Sequence, residues 1–198
     1  MAANTPFVFA TLGPEGSNHE INVRRYLAFH GLSHARVDCL PNFDLAFEHL
    51  LDGRADFVVQ ACLHPQVGAC IGRHHPRCRL VDCFLGPTAP MGVLTHAQRE
   101  APRTLGLMPA TRVYFDASRW PTQVELPSGP EVARLLLAGD IDSGFTDLSL
   151  ADQHPGRFRI ELDVGAVDIA WLVYGREGVC GGALVASAET PLAQRCFR

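Results

Sequence analysis

The sequence contains no lysine, and all 17 of its basic residues are arginines. Without a lysine amine the chain has no Schiff-base nucleophile, no anchor for pyridoxal phosphate and no P-loop lysine. Basic runs are absent too, and the formal net charge is −4 at pH 7, which argues against nucleic-acid binding. No apolar stretch approaches the ~20 residues of a membrane helix, and no charged segment precedes an apolar run as in a secretory signal. We therefore expect a cytoplasmic protein without nucleic-acid or membrane partners.

Zinc-binding spacings are also missing, although the chain has seven cysteines. The central four, Cys62, Cys70, Cys78 and Cys83, include no C-x2–4-C pair of the kind that zinc sites use. An odd number of cysteines without a secretory signal favours free thiols. The adjacent histidines at 74–75 are expected in a solvated turn, because a proline follows them. The composition therefore predicts no bound metal, and nothing in it requires a cofactor.

Short apolar runs alternate with segments of helical periodicity, which is typical of an α/β fold with largely parallel sheets. The predicted strands are residues 7–12, 35–40, 56–61, 78–85, 91–95, 104–107, 123–126, 142–145, 158–162 and 168–174. Helices are predicted to begin at Ser17 or Asn18, at 41–42, near 109, at Ser128 and at 146–147, with a further helix at 188–197.

The order strand-helix-strand-helix-strand occurs twice, over residues 7–61 and 104–162. Two small α/β lobes would account for this repetition. We predict a single domain in which the first lobe takes about 1–92 plus 166–198 and the second about 93–165. A ligand cleft is expected between the lobes, because α/β sheets bind ligands beyond the carboxyl ends of their strands.

Three predicted strand-to-helix junctions carry small polar residues that suit an anion. They are residues 13–18, Ser128-Gly129 and Thr146-Asp147. Exposed backbone N–H groups and the positive end of the helix dipole attract anions at such a junction, and the glycines of the first allow a ligand close to the backbone. Two junctions in one cleft would fit a small dicarboxylate. The alternative is that these residues only cap helices, as serine and threonine commonly do.

At the first junction the chain resembles a known family. The segment TLGPEGS at 11–17 resembles the opening strand and loop of prephenate dehydratase catalytic domains. FDLAF at 43–47, DGRADFVV at 52–59, SGPEVA at 128–133 and IDSGFT at 141–146 continue the likeness through nearly the whole chain. The resemblance implies a two-lobed, type II periplasmic-binding-protein-like α/β fold.

One departure from that family bears on the reaction. Prephenate dehydratases carry Thr-Arg-Phe on the last strand, where the matching positions are Ile169, Ala170 and Trp171. The shorter branch of the superfamily, the prephenate decarboxylases of bacilysin-type biosynthesis, carries Ser-Trp there, which Ala170-Trp171 resembles. That likeness implies a cofactor-free carboxy-lyase in antibiotic biosynthesis. Such an enzyme releases CO₂ from prephenate while the ring keeps its hydroxyl and stays non-aromatic.

The expected site contains a proton donor and residues that hold two carboxylates. His64, on the loop after the strand at 56–61, and Glu15, in the first motif, are the alternative donors, with water or the substrate itself as a third route. The expected binding residues are Gly13, Pro14, Gly16, Ser17, Asn18, Thr88, Met91, Ser128, Gly129, Thr146 and Trp171. The expected partner is a small dicarboxylate, prephenate or a relative, and a homodimer is the possible assembly.

Two other functions remain open from the sequence. A lyase of the dehydratase type would need its acid at another position, and an aromatic product would reveal it. A non-catalytic carboxylate-binding protein would use the same caps and glycines, and would bind prephenate without converting it.

Overall fold

The computed structural model describes residues 6–178. The helix predicted at 188–197 and the cysteines at 180 and 196 lie outside these residues. No helix within 6–178 has the length and apolar character needed to cross a membrane.

The first sheet contains five strands with helices on both faces. Its strands are β1 (Val8–Leu12), β2 (Arg36–Leu40), β3 (Phe57–Ala61), β4 (Arg79–Pro87) and β10 (Asp168–Gly175), in the order β2-β1-β3-β10-β4. β1 pairs in parallel with β2 and β3, whereas β10 is antiparallel to β3 and β4. Helix α1 (Asn18–Phe29) packs on one face, and helices α2 (Phe43–Leu51) and α3 (Val67–His74) pack on the other.

The second sheet also has five strands. They are β5 (Met91–His96), β6 (Thr104–Leu107), β7 (Thr122–Glu125), β8 (Ser143–Asp147) and β9 (Phe158–Gly165), in the order β7-β6-β8-β5-β9. Helices α4 (Gly129–Ala138) and α5 (Ser149–Gln153) cover one face, and a 3-10 helix (Pro109–Tyr114) follows β6. This two-lobed α/β architecture confirms the predicted fold class. That the lobes form one catalytic domain, with boundaries near residues 92 and 166, stays a prediction.

The predicted helix starts depend on side-chain caps, and the structure shows the hydrogen bonds. Ser17, Asn42 and Ser128 each accept a hydrogen bond from the backbone N–H three residues on. Helix α4 ends at Gly139, whose φ of 81° is readily adopted only by glycine. The predicted and observed helix starts therefore agree at Ser17, Asn42 and Ser128.

Two local predictions are wrong. No helix was predicted between the strands at 56–61 and 78–85, but α3 forms there because Cys70 and His74 bury one face of a helix. His74 is therefore not in a solvated turn: it is 9% exposed and stacks on Phe47, with 4.7 Å between ring centroids. Thr146 does not cap a helix, since β8 continues to Asp147, whose carboxylate accepts from the Ser149 N–H.

Two short crossovers, residues 88–90 and 166–167, join the sheets. Thr88 N–H donates to the Val167 carbonyl at 3.0 Å, and Val167 N–H donates to the Thr88 hydroxyl at 3.0 Å. Because β10 is antiparallel to β3 and β4, strands β1–β4 all end at this edge of the first sheet. β8 ends opposite Met91, where β5 begins, and β6 and β7 run parallel to β8. The carboxyl ends of the parallel strands in both lobes therefore face the crossovers.

Candidate functional site

The start of α1 contacts the crossover directly. The Asn18 side chain accepts a hydrogen bond from Ala89 N–H at 2.7 Å and places its amide nitrogen 3.8 Å from the Met91 sulfur. Upstream, Gly13 N–H donates to the Leu40 carbonyl at 2.7 Å, which anchors the loop to β2. Asn18 and Met91, both predicted as binding residues, therefore meet where the two lobes join.

The Glu20 carboxylate of the protein itself binds a backbone N–H of the loop before α1. Glu20, in the first turn of α1, accepts from Gly16 N–H at 2.6 Å and from the Arg24 guanidinium at 2.7 Å. The hydrogen bond from Gly16, followed by that from Arg24, lowers the pKa of Glu20 although burial opposes it. The Gly16 N–H is thus already bound by a side chain of the protein. Pro14 and Glu15 are exposed in the same loop.

The start of α4 reaches the crossover through β8. Ser128 caps the helix, and the Thr146 hydroxyl donates to the Gly129 carbonyl at 3.1 Å. Two residues after Thr146, Leu148 N–H donates to the Pro90 carbonyl at 2.9 Å. The structure therefore brings all three predicted junctions to one place. Their expected role in binding a ligand stays a prediction.

Two of the predicted residues have structural partners. The Thr88 hydroxyl donates to the Ala89 carbonyl and accepts from Val167 N–H, so it holds the two crossovers together. Trp171 is 1% exposed, and its indole N–H donates to the Gly86 carbonyl at 3.1 Å. Trp171 thus lies within the first lobe, where one edge of its ring contacts His19.

Four rings cluster at the end of β3. His64 lies 4.8 Å from Phe43 and 6.1 Å from His19, and His19 lies 5.3 Å from Trp171, all between ring centroids. The His19 Nε2 accepts a hydrogen bond from Ala61 N–H at 3.4 Å. His64 is therefore at the same sheet edge as the α1 start, as its position after β3 predicted.

Both histidines are poor bases in this environment. Burial, and secondly the nearby charge of His64, lower the pKa of His19 to about 3. Burial also lowers the pKa of His64. Both rings are therefore neutral at pH 7 unless a bound anion stabilises the imidazolium form.

The sequence interpretation missed His19, Glu20 and Asn22. Asn22 is 1% exposed and donates to the Asn18 carbonyl, and its own side-chain oxygen has no partner among residues 6–178. Glu20 could have been recognised, because serine followed three residues later by glutamate is a helix-start signature. His19 carries no such signal, since its role depends on the packing of α1 against β3.

Other candidate sites in residues 6–178 are less well formed. No three His, Cys, Asp or Glu side chains in this part of the chain converge to hold a metal. Within this part of the chain, no disulfide joins the cysteines at 39, 62, 70, 78 and 83. A cavity of about 550 Å³ is lined by His96, Arg99 and Arg157, beyond the opposite end of β5. Arg99 there pairs with Asp142, so its charge is compensated.

No known protein-family profile matches the chain, and no curated protein matches it either. Solved structures do match. A prephenate dehydratase from Arthrobacter aurescens, solved in complex with L-Phe, superposes with a TM-score of 0.64 at 17% identity, covering 90% of this chain and 63% of that one. An ABC transporter protein from Parabacteroides distasonis gives a TM-score of 0.55 at 15% identity, covering 85% and 65% of the two chains.

A periplasmic VFT2 domain of BvgS from Bordetella pertussis also matches, with a TM-score of 0.50 at 14% identity, covering 85% of this chain and 80% of that one. The fold is type II periplasmic-binding-protein-like. At these identities the similarity establishes the fold alone, and the chain spans less than two thirds of the dehydratase and transporter chains.

Proposed function

We propose that the protein is a cofactor-independent carbon–carbon lyase that decarboxylates prephenate, or a close relative, without making the ring aromatic. One observation carries this proposal: the N-terminus of α1 is bonded to one crossover, that of α4 is linked to the same crossover through Thr146 and Leu148, and His64 lies beside His19 of α1. Two helix N-termini provide separate positions for two carboxylates. The histidine supplies a group that can carry a proton.

The substrate would lie across the crossovers with one carboxylate at each lobe. Asn18 and the amides of the α1 start face one end, and Ser128 and Gly129 face the other. The His64 ring lies at one side of this space, and the fully buried ring of Phe43 packs behind it with 4.8 Å between the centroids. An apolar environment favours loss of CO₂, because a carboxylate loses its charge as it leaves.

The reaction needs one proton and no redox partner. As the bond between the ring and its carboxylate breaks, its electron pair forms a new ring double bond. The displaced π electrons then take a proton at a distal ring carbon. Prephenate and one proton therefore give CO₂ and a non-aromatic dihydro-hydroxyphenylpyruvate, and the ring hydroxyl remains.

Dehydration is less well supported because its acid has no counterpart on β10. The family resemblance associates that acid with a threonine, and the matching residues here are Ile169, Ala170 and Trp171. Ile169 is 7% exposed in the core of the first lobe, and the Trp171 N–H is bonded to Gly86. Neither side chain can protonate a leaving hydroxyl. The proposal therefore retains the hydroxyl.

His64 is the preferred donor over Glu15. A substrate dianion beside His64 would raise the pKa of His64 from its lowered value, so that a proton is carried when substrate is present. Glu15 is exposed, whereas an acid of this type needs burial to stay protonated at neutral pH.

The experiment mixes purified protein with prephenate at pH 7 and follows the proton NMR spectrum. We expect prephenate to be replaced by a non-aromatic product with release of CO₂. His64→Gln should lower kcat by roughly 100-fold, which is typical for loss of a general acid. His34→Gln, at an exposed position outside the cluster, is the matched control and should leave kcat unchanged.

Other products would overturn parts of the proposal. Phenylpyruvate, an aromatic product, would show a dehydratase that uses an acid elsewhere. Full activity in His64→Gln would exclude His64 as donor, and Glu15→Gln would then be tested in the same assay.

A binding protein is the second candidate, because the fold is shared with a transporter protein and a periplasmic VFT domain. In that case prephenate resonances would broaden or shift in the presence of protein, and no product would form after prolonged incubation. Broadening that decreases as the prephenate concentration is raised well above the protein concentration would establish saturable binding.

A further inference from the structure

His19 links α1 to the turn that carries His64. Ala61, at the end of β3, donates its N–H to His19 Nε2 at 3.4 Å. The carbonyl of the same Ala61 accepts from the His64 N–H at 3.0 Å. One residue therefore connects the two histidines, and any displacement of His19 would be transmitted to the backbone of His64.

The hydrogen bonds also fix where each ring carries its proton. Because His19 Nε2 accepts from Ala61, a neutral His19 has its hydrogen on Nδ1. His64 Nδ1 accepts from Gln66 N–H at 3.3 Å, so a neutral His64 has its hydrogen on Nε2. The two rings are 6.1 Å apart and nearly perpendicular. His64 therefore becomes positively charged only by taking a proton at Nδ1, which displaces the Gln66 N–H, and it can then pass the proton on Nε2 to a ligand.

We propose that His19 is a positioning residue for His64: it holds the Ala61–His64 turn against α1 and stays neutral, so that His64 alone carries the proton. This inference rests on the role of His64 under the proposed function. The surroundings support it, since α1 contributes His19 as the titratable group beside His64, α2 contributes Phe43 beside both rings, and β10 contributes Trp171 beside His19; neither Phe43 nor Trp171 titrates. A second positive charge beside His64 would oppose its protonation.

The test uses ¹⁵N-labelled protein without ligand. Long-range proton–nitrogen NMR spectra distinguish the two neutral histidine tautomers and follow their titration. We expect His19 to be the Nδ1–H tautomer and to remain neutral from pH 8 to pH 5. His64 should be the Nε2–H tautomer and titrate below the ordinary histidine pKa of about 6.5.

Two variants separate positioning from general stability. His19→Gln places an oxygen where Nε2 lies, so it should keep the His64 titration midpoint at the wild-type value. His19→Leu cannot accept from Ala61, so the turn loosens and the midpoint should rise towards 6.5 as His64 gains solvent. With prephenate, His19→Leu should lower kcat roughly tenfold with little change in KM, and His19→Gln should restore most of it.

The proposal is overturned if wild-type His19 is the Nε2–H tautomer or titrates near pH 6.5. It is also overturned if His64 keeps the same midpoint in His19→Leu. Because these measurements need no substrate, they stand even if prephenate is not converted. An inactive protein with the expected tautomers would contradict the proposed function while supporting the positioning role. If His19→Leu does not fold, the wild-type tautomers and His19→Gln still decide the question.

Discussion

The helices that start near the crossovers, α1 and α4, begin with the same pattern, serine followed three residues later by glutamate, but they use the glutamate differently. In both helices the serine hydroxyl accepts from the glutamate N–H, at 3.4 Å for Ser17 and 3.3 Å for Ser128. The Glu20 side chain is 9% exposed and binds Gly16 N–H. The Glu131 side chain is 34% exposed and pairs with Arg134 on the helix surface. We infer that α1 has satisfied part of its own anion site, whereas α4 is left for a ligand.

Two glycines of the second sheet are packed more closely than the glycines of α3 in the first lobe. In the second sheet a methyl group added at Gly92 would lie 2.1 Å from the Leu162 carbonyl oxygen, and one at Gly144 would lie 2.7 Å from Val132. In α3 of the first lobe, apart from the backbone of the helix itself, no atom of residues 6–178 lies within 4 Å of that position at Gly68 or Gly72. Gly92 and Gly144 therefore need glycine for space, and the glycines of α3 do not.

Gly92→Ala tests this difference with the largest expected effect. Its new methyl group would overlap backbone, which side-chain rotation cannot relieve, so we expect a loss of about 3 kcal/mol in the free energy of unfolding. Gly72→Ala is the matched control and should gain roughly 0.5–1 kcal/mol, because alanine favours a helix interior. Urea unfolding followed by circular dichroism measures both. Equal effects of the two variants would contradict the comparison.

Sequence patterns predicted the parts of the fold that local chemistry fixes. The caps at Ser17 and Ser128 and the apolar run of β3 each act within a few residues, so their elements were predictable. Helix α3 was not, because two glycines lower its helix propensity and its stability comes from packing Cys70 against α2 and β3. His19 and Asn22 were missed for the same reason. His19 accepts from Ala61 on β3, and the Asn22 side chain lies beside Gly86 on β4, and both strands are distant from α1 in sequence.

The buried histidine of the first lobe should make stability depend on pH. The pKa of His19 is about 3 when folded and about 6.5 when unfolded, so the unfolded state binds more protons below pH 6.5. Above pH 6.5, His19 therefore does not reduce the free energy of unfolding. As the pH falls from 6.5 towards 3, the free energy of unfolding declines. At pH 5 the loss should be roughly 2 kcal/mol relative to pH 7.

His19→Gln removes this titration and is measured by urea unfolding at pH 7 and pH 5. Its stability should fall less than that of the wild type between the two pH values. His34→Gln, which removes an exposed histidine, should behave as the wild type does. An unchanged pH dependence in His19→Gln would mean that His19 titrates near its ordinary pKa, and the neutral-ring argument would fail.

The smallest expected change in the free energy of unfolding comes from removing the serine caps of α1 and α4. The buried Ser17 hydroxyl both accepts from Glu20 N–H and donates to the Leu12 carbonyl, so Ser17→Ala leaves two backbone groups without partners. We expect it to cost roughly 1.5 kcal/mol in the free energy of unfolding. Ser128 is more exposed and water can replace its hydroxyl, so Ser128→Ala should cost only about 0.5–1 kcal/mol.

The two variants should rank in the opposite order for ligand affinity and for stability. Measuring both quantities therefore tests the difference between the α1 and α4 starts as well as the two caps. If α4 is the more open anion site, Ser128→Ala should weaken prephenate binding more than Ser17→Ala, although it destabilises the protein less. Calorimetric titration at pH 7 compares the two Kd values with that of the wild type. A larger loss of affinity in Ser17→Ala would assign the main carboxylate contact to α1, and Glu20 would then have to release Gly16 N–H when the ligand binds.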